Sequence, residues 1–303
     1  MIRREQLRWA LMLLGLSLTG GALAAAAIPP AIYTDPPHDA QNPPRMEVLH
    51  IPTAGVQING VAYVAAGAGL HPTAVFLIGL PGNEKNLDLV QAVRRAGWNA
   101  ITFFYRGSWG SPGSFRFAHC AQDAAAALTY LRTPPVANRL GIDTGRMVIV
   151  GHSMGGWVAV ETAAQDHRLA GVALISAADM SKDFPGALPP AQLVKLLSGL
   201  MESLADETPQ RMAAELTAHA AQWRFDQAYD RIGHVPVLVV TANDRYGPSD
   251  NALASALRSR GNQSITVLHL DTDHTYSDHR IALEAAVITW LQSLPHKMKV
   301  SKS

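Results

Sequence analysis

The chain has 303 residues, of which 48% are hydrophobic, and 25 basic residues nearly balance 24 acidic ones to leave a net charge of +1. This balance excludes an extended disordered chain and argues against nucleic acid as a partner. The only cysteine, Cys120, excludes an intrachain disulfide and a cysteine-pair metal site. A metal site would have to use histidine and carboxylate side chains alone. We therefore expect a folded protein whose substrate is a small neutral molecule.

The first 24 residues resemble a secretory leader. Three arginines up to Arg8 precede an apolar stretch over 9–18, and small residues before Ala24 match the spacing of a signal peptidase site. The sequence therefore predicts export to the periplasm or the medium, with cleavage near Ala24. An uncleaved membrane anchor is the alternative, because no charged residue occurs between Arg8 and Asp35.

The next two segments predict a linker and an antiparallel sheet edge. Residues 25–44 are rich in proline and lack apolar periodicity, which is typical of an extended linker. Between 46 and 64, short apolar stretches are separated by Pro52, Gly55 and the pair Asn59-Gly60. This pattern predicts antiparallel strands rather than a βαβ unit.

From residue 74 onward, short β-rich runs alternate with longer helical ones. Strands are predicted at 74–80, 100–105, 147–150, 172–176, 237–241 and 265–270, and helices at 85–96, 118–132, 154–166, 250–260 and 278–294. This alternation predicts an α/β fold with a mostly parallel, doubly wound sheet covered by helices on both faces.

One segment interrupts the alternation. Residues 177–233 show no strand pattern but contain two amphipathic helical stretches, at 192–205 and 210–223. Its length predicts a helical cap inserted into a core formed by 45–176 and 234–294, although an ordinary crossover with two helices is the alternative.

The stretch Gly-His-Ser-Met-Gly predicts a nucleophile. Ser153 stands between a buried strand and a helix, where a sharp turn would expose its hydroxyl at the carboxyl edge of the sheet. The flanking Gly151 and Gly155 suit so tight a turn because they lack Cβ atoms. A passive turn of small residues is the alternative.

A serine hydroxyl needs a general base at neutral pH. His274 follows the last predicted strand, and its loop would rise over the same sheet edge as Ser153, so we predict it to be the base. His279 is a weaker alternative because it is near the start of the helix. His152 adjoins Ser153 and is predicted to pack or bond locally instead.

The base needs an acid that orients it. Asp244 follows the strand at 237–241 and is predicted to fill this role, although aspartate at such a place also stabilises turns. Asp179 follows another strand and is a weaker candidate. Asp271 and Asp273 are too near His274 in sequence to reach its far ring nitrogen easily. The resulting order, Ser then Asp then His, distinguishes one of the three common serine-triad arrangements.

Acyl transfer also requires hydrogen-bond donors for a developing oxyanion. The backbone N–H of Met154, after the nucleophile, is one predicted donor, and that of Leu80, before Pro81, is the other. An ordinary Pro-Gly turn is the alternative for the second. The glycine-rich stretch 105–115 lacks the spacing of a phosphate or dinucleotide site, so nucleotide binding is not expected.

These motifs together resemble the α/β-hydrolase family over residues 45–294. The resemblance implies Ser153 as nucleophile, Asp244 as acid and His274 as base, with an oxyanion loop at 80–83 and a helical lid after residue 176. Two positions depart from the family pattern. Ile78 replaces a frequent histidine before the oxyanion loop, and Tyr105 replaces a frequent aspartate.

The expected activity is hydrolysis of a small carboxylic ester through an acyl-enzyme, without a cofactor. A serine peptidase of the aminopeptidase or prolyl type is the first alternative, in which Glu202, Asp206 and Glu207 of the cap would bind a free amine. A non-catalytic binding protein on the same scaffold is the second, because a fold alone does not establish activity. The sequence leaves the acyl group and the oligomeric state open.

Overall fold

A computed structural model describes residues 28–183 and 188–295. The predicted leader, residues 1–24, lies outside these ranges and stays a prediction, as do the exact limits of the core and the cap. None of the helices in the described ranges has both the length and the apolar character needed to cross a bilayer.

The centre of the molecule is an eight-stranded sheet. Its strands are β1 (Arg45–Thr53), β2 (Val56–Val64), β3 (His71–Leu77), β4 (Asn99–Phe103), β5 (Ile142–His152), β6 (Gly171–Ile175), β7 (Val237–Thr241) and β8 (Ile265–His269). They are arranged in the order β1-β2-β4-β3-β5-β6-β7-β8. Strands β1 and β2 pair antiparallel, β2 pairs antiparallel with β4, and every other pairing is parallel. The predicted doubly wound sheet with an antiparallel edge is confirmed.

Helices cover both faces of this sheet. They are α1 (Leu87–Arg95), α2 (Phe117–Leu131), α3 (Pro134–Leu140), α4 (Met154–Ala163), α5 (Pro190–Ser198), α6 (Pro209–His219), α7 (Tyr229–Ile232), α8 (Gly247–Ser259) and α9 (Arg280–Ser293). Helices α1 and α9 pack on one face, and α2, α3, α4 and α8 pack on the other. Side chains of β5 alternate between these two faces. Val148 and Val150 pack against the face covered by α1 and α9, and Met147 and Ile149 pack against the opposite face, as the alternation of side chains along a strand requires.

Of the predicted breaks between the antiparallel strands, Gly55 lies in the hairpin turn as expected, and Asn59-Gly60 does not form a turn. Ala54 and Gly55 form the hairpin turn, with φ angles of 43° and 83°, whereas Asn59-Gly60 lies inside β2. Glycine is needed at position 60 because a Cβ atom there would come within 2.9 Å of the Thr102 carbonyl oxygen on β4. This glycine therefore allows a close strand contact and does not mark a turn.

Helix α3 is not predicted by the apolar periodicity. Pro134 and Pro135 occupy its first turn, where a missing N–H costs little, and Gly141 ends it in a left-handed conformation with φ 64°. Strand β5 then begins at Ile142, five residues before the predicted start.

The insertion between β6 and β7 contains α5, α6 and α7, and both of its longer helices end earlier than predicted. Residues beyond α5 pair with the glycine-rich loop after β4 instead of extending the helix. The Trp109 N–H donates to Ser203 over 3.0 Å, and the Ala205 N–H donates to Gly107 over 2.8 Å. The cap is therefore joined to the rim of the sheet by backbone hydrogen bonds.

Candidate active site

Ser153 occupies a sharp turn at the carboxyl end of the central strand. Strand β5 ends at His152 and α4 begins at Met154, so Ser153 alone joins them, with φ 57° and ψ −125°. L-residues rarely adopt this conformation, and it costs about 1 to 3 kcal/mol where it occurs. The Ser153 N–H donates to the Ile175 carbonyl over 3.0 Å, which fixes the turn to β6.

Glycines make this turn possible. A Cβ atom at Gly151 would lie 2.2 Å from the Gly155 carbonyl oxygen, and one at Gly155 would lie 2.1 Å from that of Leu77. A Cβ atom at Gly79 would lie 2.9 Å from Ser153 Cβ and 3.4 Å from Ser153 Oγ. The loop after β3 therefore lies directly against the serine.

Asp244 and His274 contact each other. The loops after β7 and β8 carry them, and His274 Nδ1 lies 2.8 Å from Asp244 Oδ2. Burial opposes ionisation of Asp244, whose side chain is 9% exposed. Hydrogen bonds from His274, Ser176 and the Tyr246 N–H outweigh that effect and hold the pKa of Asp244 below its ordinary value. The carboxylate is therefore charged and oriented toward the imidazole.

The weaker candidates have other partners. His279 contacts its neighbour Asp278, and Asp179 accepts backbone N–H groups of Ser181, Lys182 and Phe225 at the start of the insertion. Asp271 accepts from the Asn243 side chain, and Asp273 accepts from Thr275 and Ser277. Each of these aspartates stabilises a loop.

Two buried residues that the sequence analysis missed connect the loops of Asp244 and His274. The Tyr276 hydroxyl donates to the Val240 carbonyl over 2.9 Å and lies 2.8 Å from the Ser176 hydroxyl. A hydrogen bond from Ser176 also stabilises the Asp244 carboxylate. Tyr276 lies two residues after His274, but the sequence around it has no apolar periodicity and predicts only a loop residue.

His152 contacts the predicted base, although it is 122 residues away in sequence. Its Nε2 lies 3.0 Å from the His274 carbonyl oxygen, and the centroids of the two rings are 4.7 Å apart. His152 packs and forms a hydrogen bond as predicted, but its partner is distant in sequence, because the loop after β8 folds back over the turn at Ser153. The Tyr246 ring lies 4.9 Å from the His274 ring as well.

The two predicted oxyanion donors are the backbone N–H groups of Leu80 and Met154. Within residues 28–183 and 188–295, neither the Leu80 nor the Met154 N–H donates to another group of the protein. Met154 is the first residue of α4, so its N–H lacks a helical partner. The Pro81 carbonyl accepts from Trp109 Nε1 over 2.7 Å and from Ser203 Oγ over 2.8 Å, which fixes the loop after Leu80.

The two positions that depart from the family pattern contact each other. Tyr105 is buried, and its hydroxyl donates to the Ile78 carbonyl over 3.3 Å. Buried Asp123 contacts the neighbouring Arg106, and its oxygens accept from the Arg106 N–H over 2.8 Å and from Arg106 Nε over 2.6 Å. Both contacts involve residues of the glycine-rich stretch 105–115, which we call the rim loop.

Metal-binding clusters and the cysteine thiol bear on two other kinds of chemistry. In the part of the chain that the structure describes, no three His, Cys, Asp or Glu side chains are grouped to hold a metal ion. Burial raises the pKa of the Cys120 thiol well above its ordinary value, which disfavours a reactive thiolate.

Asp250 is a buried carboxyl group behind the site. It lies on α8, and its Oδ2 accepts the Ala177 N–H over 2.9 Å, whereas Oδ1 has no hydrogen-bond partner among the described residues. Burial raises the pKa of Asp250 well above its ordinary value, and the nearby carboxylates of Asp244, Asp183 and Asp179 raise it further.

We expect Asp250→Asn to gain stability relative to the wild type as the pH rises. The folded pKa exceeds the unfolded value of about 4, so above pH 4 the folded wild type binds more protons and its free energy of unfolding falls with pH. Asparagine does not titrate. The difference should grow by up to about 1.4 kcal/mol per pH unit until the folded pKa is reached, and urea unfolding at pH 5 and pH 8 measures it.

The exposed Asp35 provides a matched control, because Asp35→Asn removes a carboxyl group at the surface. A surface substitution usually changes the free energy of unfolding by less than about 0.5 kcal/mol, so this variant should remain close to the wild type. A pH-independent difference for Asp250→Asn would show that Asp250 ionises normally in the folded protein.

A mostly parallel sheet with a strained serine between β5 and α4 defines a hydrolase-type α/β protein. The chain belongs to the α/β-hydrolase family, whose model, described as "Alpha/beta hydrolase family", matches residues 75–286. The protein is therefore a hydrolase. A search of curated protein sequences found no match.

Solved structures share this fold at low sequence identity. A thermostable carboxylesterase cloned from a metagenomic library is 20% identical with a TM-score of 0.60, and 84% of this chain aligns with 92% of that one. An esterase from the archaeon Pyrobaculum calidifontis is 17% identical with a TM-score of 0.59, covering 84% and 87%. A lipase in an open form is 16% identical with a TM-score of 0.64, covering 82% and 98%.

Proposed function

We propose that this hydrolase cleaves small carboxylic esters, with Ser153 as nucleophile, His274 as general base and Asp244 as the acid that orients it. The observation that carries the proposal is the hydrogen bond of 2.8 Å between His274 Nδ1 and Asp244 Oδ2. The loop that carries His274 also contacts His152, the residue before Ser153. The Asp244 carboxylate keeps the proton of His274 on Nδ1, which leaves Nε2 as the nitrogen that can accept one.

The reaction proceeds in two transfers of the acyl group. His274 Nε2 takes the hydroxyl proton as Ser153 Oγ bonds to the ester carbonyl carbon, and the carbonyl electron pair moves onto oxygen. The pair returns as the bond to the alcohol oxygen breaks, and His274 gives its proton to the departing alcohol. Water then attacks the acyl-serine, His274 takes the water proton, and Ser153 recovers it when the carboxylic acid leaves.

The Leu80 and Met154 N–H groups would bind the oxyanion in both transfers. Neither N–H group has an acceptor among the residues that the structure describes, which supports this role, because an occupied amide would first have to lose a hydrogen bond. Gly79 supports it as well, since its missing side chain lets the backbone before Leu80 approach Ser153.

A cavity beside the oxyanion loop is the candidate binding region for the substrate. It has a volume of about 750 Å³ and is lined by Asn83, the rim loop around Trp109 and cap residues 202–205. Ser153 is not part of this lining, so the cavity would hold a portion of the substrate away from the reacting bond. Its mixture of polar and apolar walls suits a small ester better than a long acyl chain.

The residues on which the peptidase alternative depends are mostly paired. Glu207 is fully buried at its side chain and binds Arg116 and Arg211, and Asp206 lies near the same two arginines. A carboxylate that already binds an arginine is a poor acceptor for the amine of a substrate. Of these three carboxylates, Glu202 alone lines the candidate cavity. This favours an esterase over a peptidase. The solved structures of a carboxylesterase, an esterase and a lipase are also consistent with it.

A panel of p-nitrophenyl esters of increasing acyl length, run beside aminoacyl p-nitroanilides, tests the proposed substrate class. We expect kcat/KM to be higher for the esters, with short acyl groups preferred because the candidate cavity is partly polar. Faster turnover of the anilides would favour the peptidase. Absence of turnover for every compound, together with no labelling of Ser153 by a fluorophosphonate, would favour the binding protein.

A further inference from the structure

We propose that His152 is a positioning residue, which holds the loop of the base against the nucleophile by donating its Nε2–H to the backbone carbonyl of His274. This inference rests on the proposed function, because it assigns His152 a part in presenting His274 to Ser153. It goes beyond that function by giving the residue between Gly151 and Ser153 a specific task.

The hydrogen bond links the two halves of the site. His152 is covalently joined to Ser153 at the end of β5, whereas His274 lies on the loop after β8, three strands away in the sheet. The distance of 3.0 Å between His152 Nε2 and the His274 carbonyl oxygen is that of an ordinary hydrogen bond. A shift of this loop would therefore move the imidazole of the base relative to the serine.

The acceptor decides which tautomer His152 adopts. A carbonyl oxygen only accepts hydrogen bonds, so the proton of His152 lies on Nε2. Nδ1 has no hydrogen-bond partner among the described residues, and the side chain is buried. Burial, with a smaller effect of His274, lowers the pKa of His152 to about 4, so the ring is neutral near pH 7.

Ring packing is a second contact between the same residues. The His152 and His274 rings are tilted by 31° with centroids 4.7 Å apart. A neutral ring at this place contacts the imidazole without adding a charge that would oppose protonation of the base during catalysis. The donor and the ring are therefore two separable contributions of His152, and the proposal assigns the larger effect to the donor.

Three replacements of His152 separate the donor from the ring. Glutamine can place its Nε2 near the position of the histidine Nε2 and retains the donor, whereas methionine has a similar length and lacks it. His152→Phe retains a ring without a donor. Each variant is characterised by the steady-state kinetics of a p-nitrophenyl ester that the wild type hydrolyses, with circular dichroism and urea unfolding as checks of folding.

We expect His152→Met and His152→Phe to lower kcat by about tenfold to a hundredfold with little change in KM, because the base is misplaced while substrate binding is not. His152→Gln should retain kcat within about threefold of the wild type. Rescue by glutamine is the distinguishing result, since a residue that only fills space would be replaced as well by methionine or phenylalanine.

The rate of Ser153 labelling by a fluorophosphonate supplies a second readout that needs no ester turnover. It should fall for the methionine and phenylalanine variants and recover for the glutamine variant. Wild-type kcat in His152→Met, or equal loss in His152→Gln and His152→Met when both are folded, would overturn the proposal. Failure of the proposed function would look different, because the wild type itself would then show no labelling that depends on Ser153.

Discussion

Replacing Ser153 with alanine is expected to lower kcat for a p-nitrophenyl ester by about 10⁴-fold or more. The reason is that no nucleophilic oxygen remains at the end of β5, so the acyl-enzyme cannot form. Alanine keeps a Cβ atom at the strained φ of 57°, and the turn should therefore be retained. Steady-state kinetics and fluorophosphonate labelling measure the loss.

A glycine at the same position separates activity from stability. Ser153→Gly should be equally inactive, but more stable than Ser153→Ala by about 1 kcal/mol, because glycine adopts this conformation without strain. Ser259→Ala is the matched control, since the Ser259 hydroxyl donates to the Ala256 carbonyl of its own helix, and its kinetics should equal those of the wild type. If Ser153→Ala kept a tenth of the activity, the nucleophile would have to be another residue.

Asp244→Asn is expected to lower kcat by about 10³- to 10⁴-fold while KM changes little. The carboxylate accepts the Nδ1 proton of His274, which leaves Nε2 free to take a proton. An asparagine can present its amide N–H to Nδ1 and so favour the tautomer that has the proton on Nε2. The same ester assay, with circular dichroism as a check of folding, measures the effect.

Asp271→Asn provides the comparison for this change. Asp271 lies three residues before His274 and is exposed, and its side chain contacts Asn243 rather than an imidazole. Its replacement should leave kcat within about twofold of the wild type. Equal losses in the two variants would show that the negative charge near the loop matters and that the contact with Nδ1 does not.

Local patterns were sufficient for much of the fold. The buried parallel strands were recognisable because each is a short, continuous apolar run, and the strained serine because its turn requires glycines within two residues on either side. The loops of Asp244 and His274 were predictable for a related reason, since the carboxyl ends of parallel strands all meet at one edge of the sheet.

Other features depended on partners far away in the chain. Gly60 looks like a turn residue in isolation, but its position is explained by β4. Helix α5 ends earlier than predicted, with Gly199 as its C-cap, and residues 203–205 bond to the glycine-rich loop after β4 instead of continuing the helix. The apolar periodicity of a sequence does not indicate such a pairing, because the pairing depends on which loop of the folded protein lies beside the segment.

The amino-acid sequence by itself determined the fold class, the antiparallel edge and the strand-to-helix turn at Ser153, because these depend on apolar period and on the conformational freedom of nearby glycines. Only the tertiary structure decided which side chains support the site: His152 beneath His274, Tyr276 beside Ser176, and Asp123 holding Arg106. Hydrogen bonds and ring contacts between distant residues depend on how the loops pack against one another. The spacing of residues along the chain does not predict that packing.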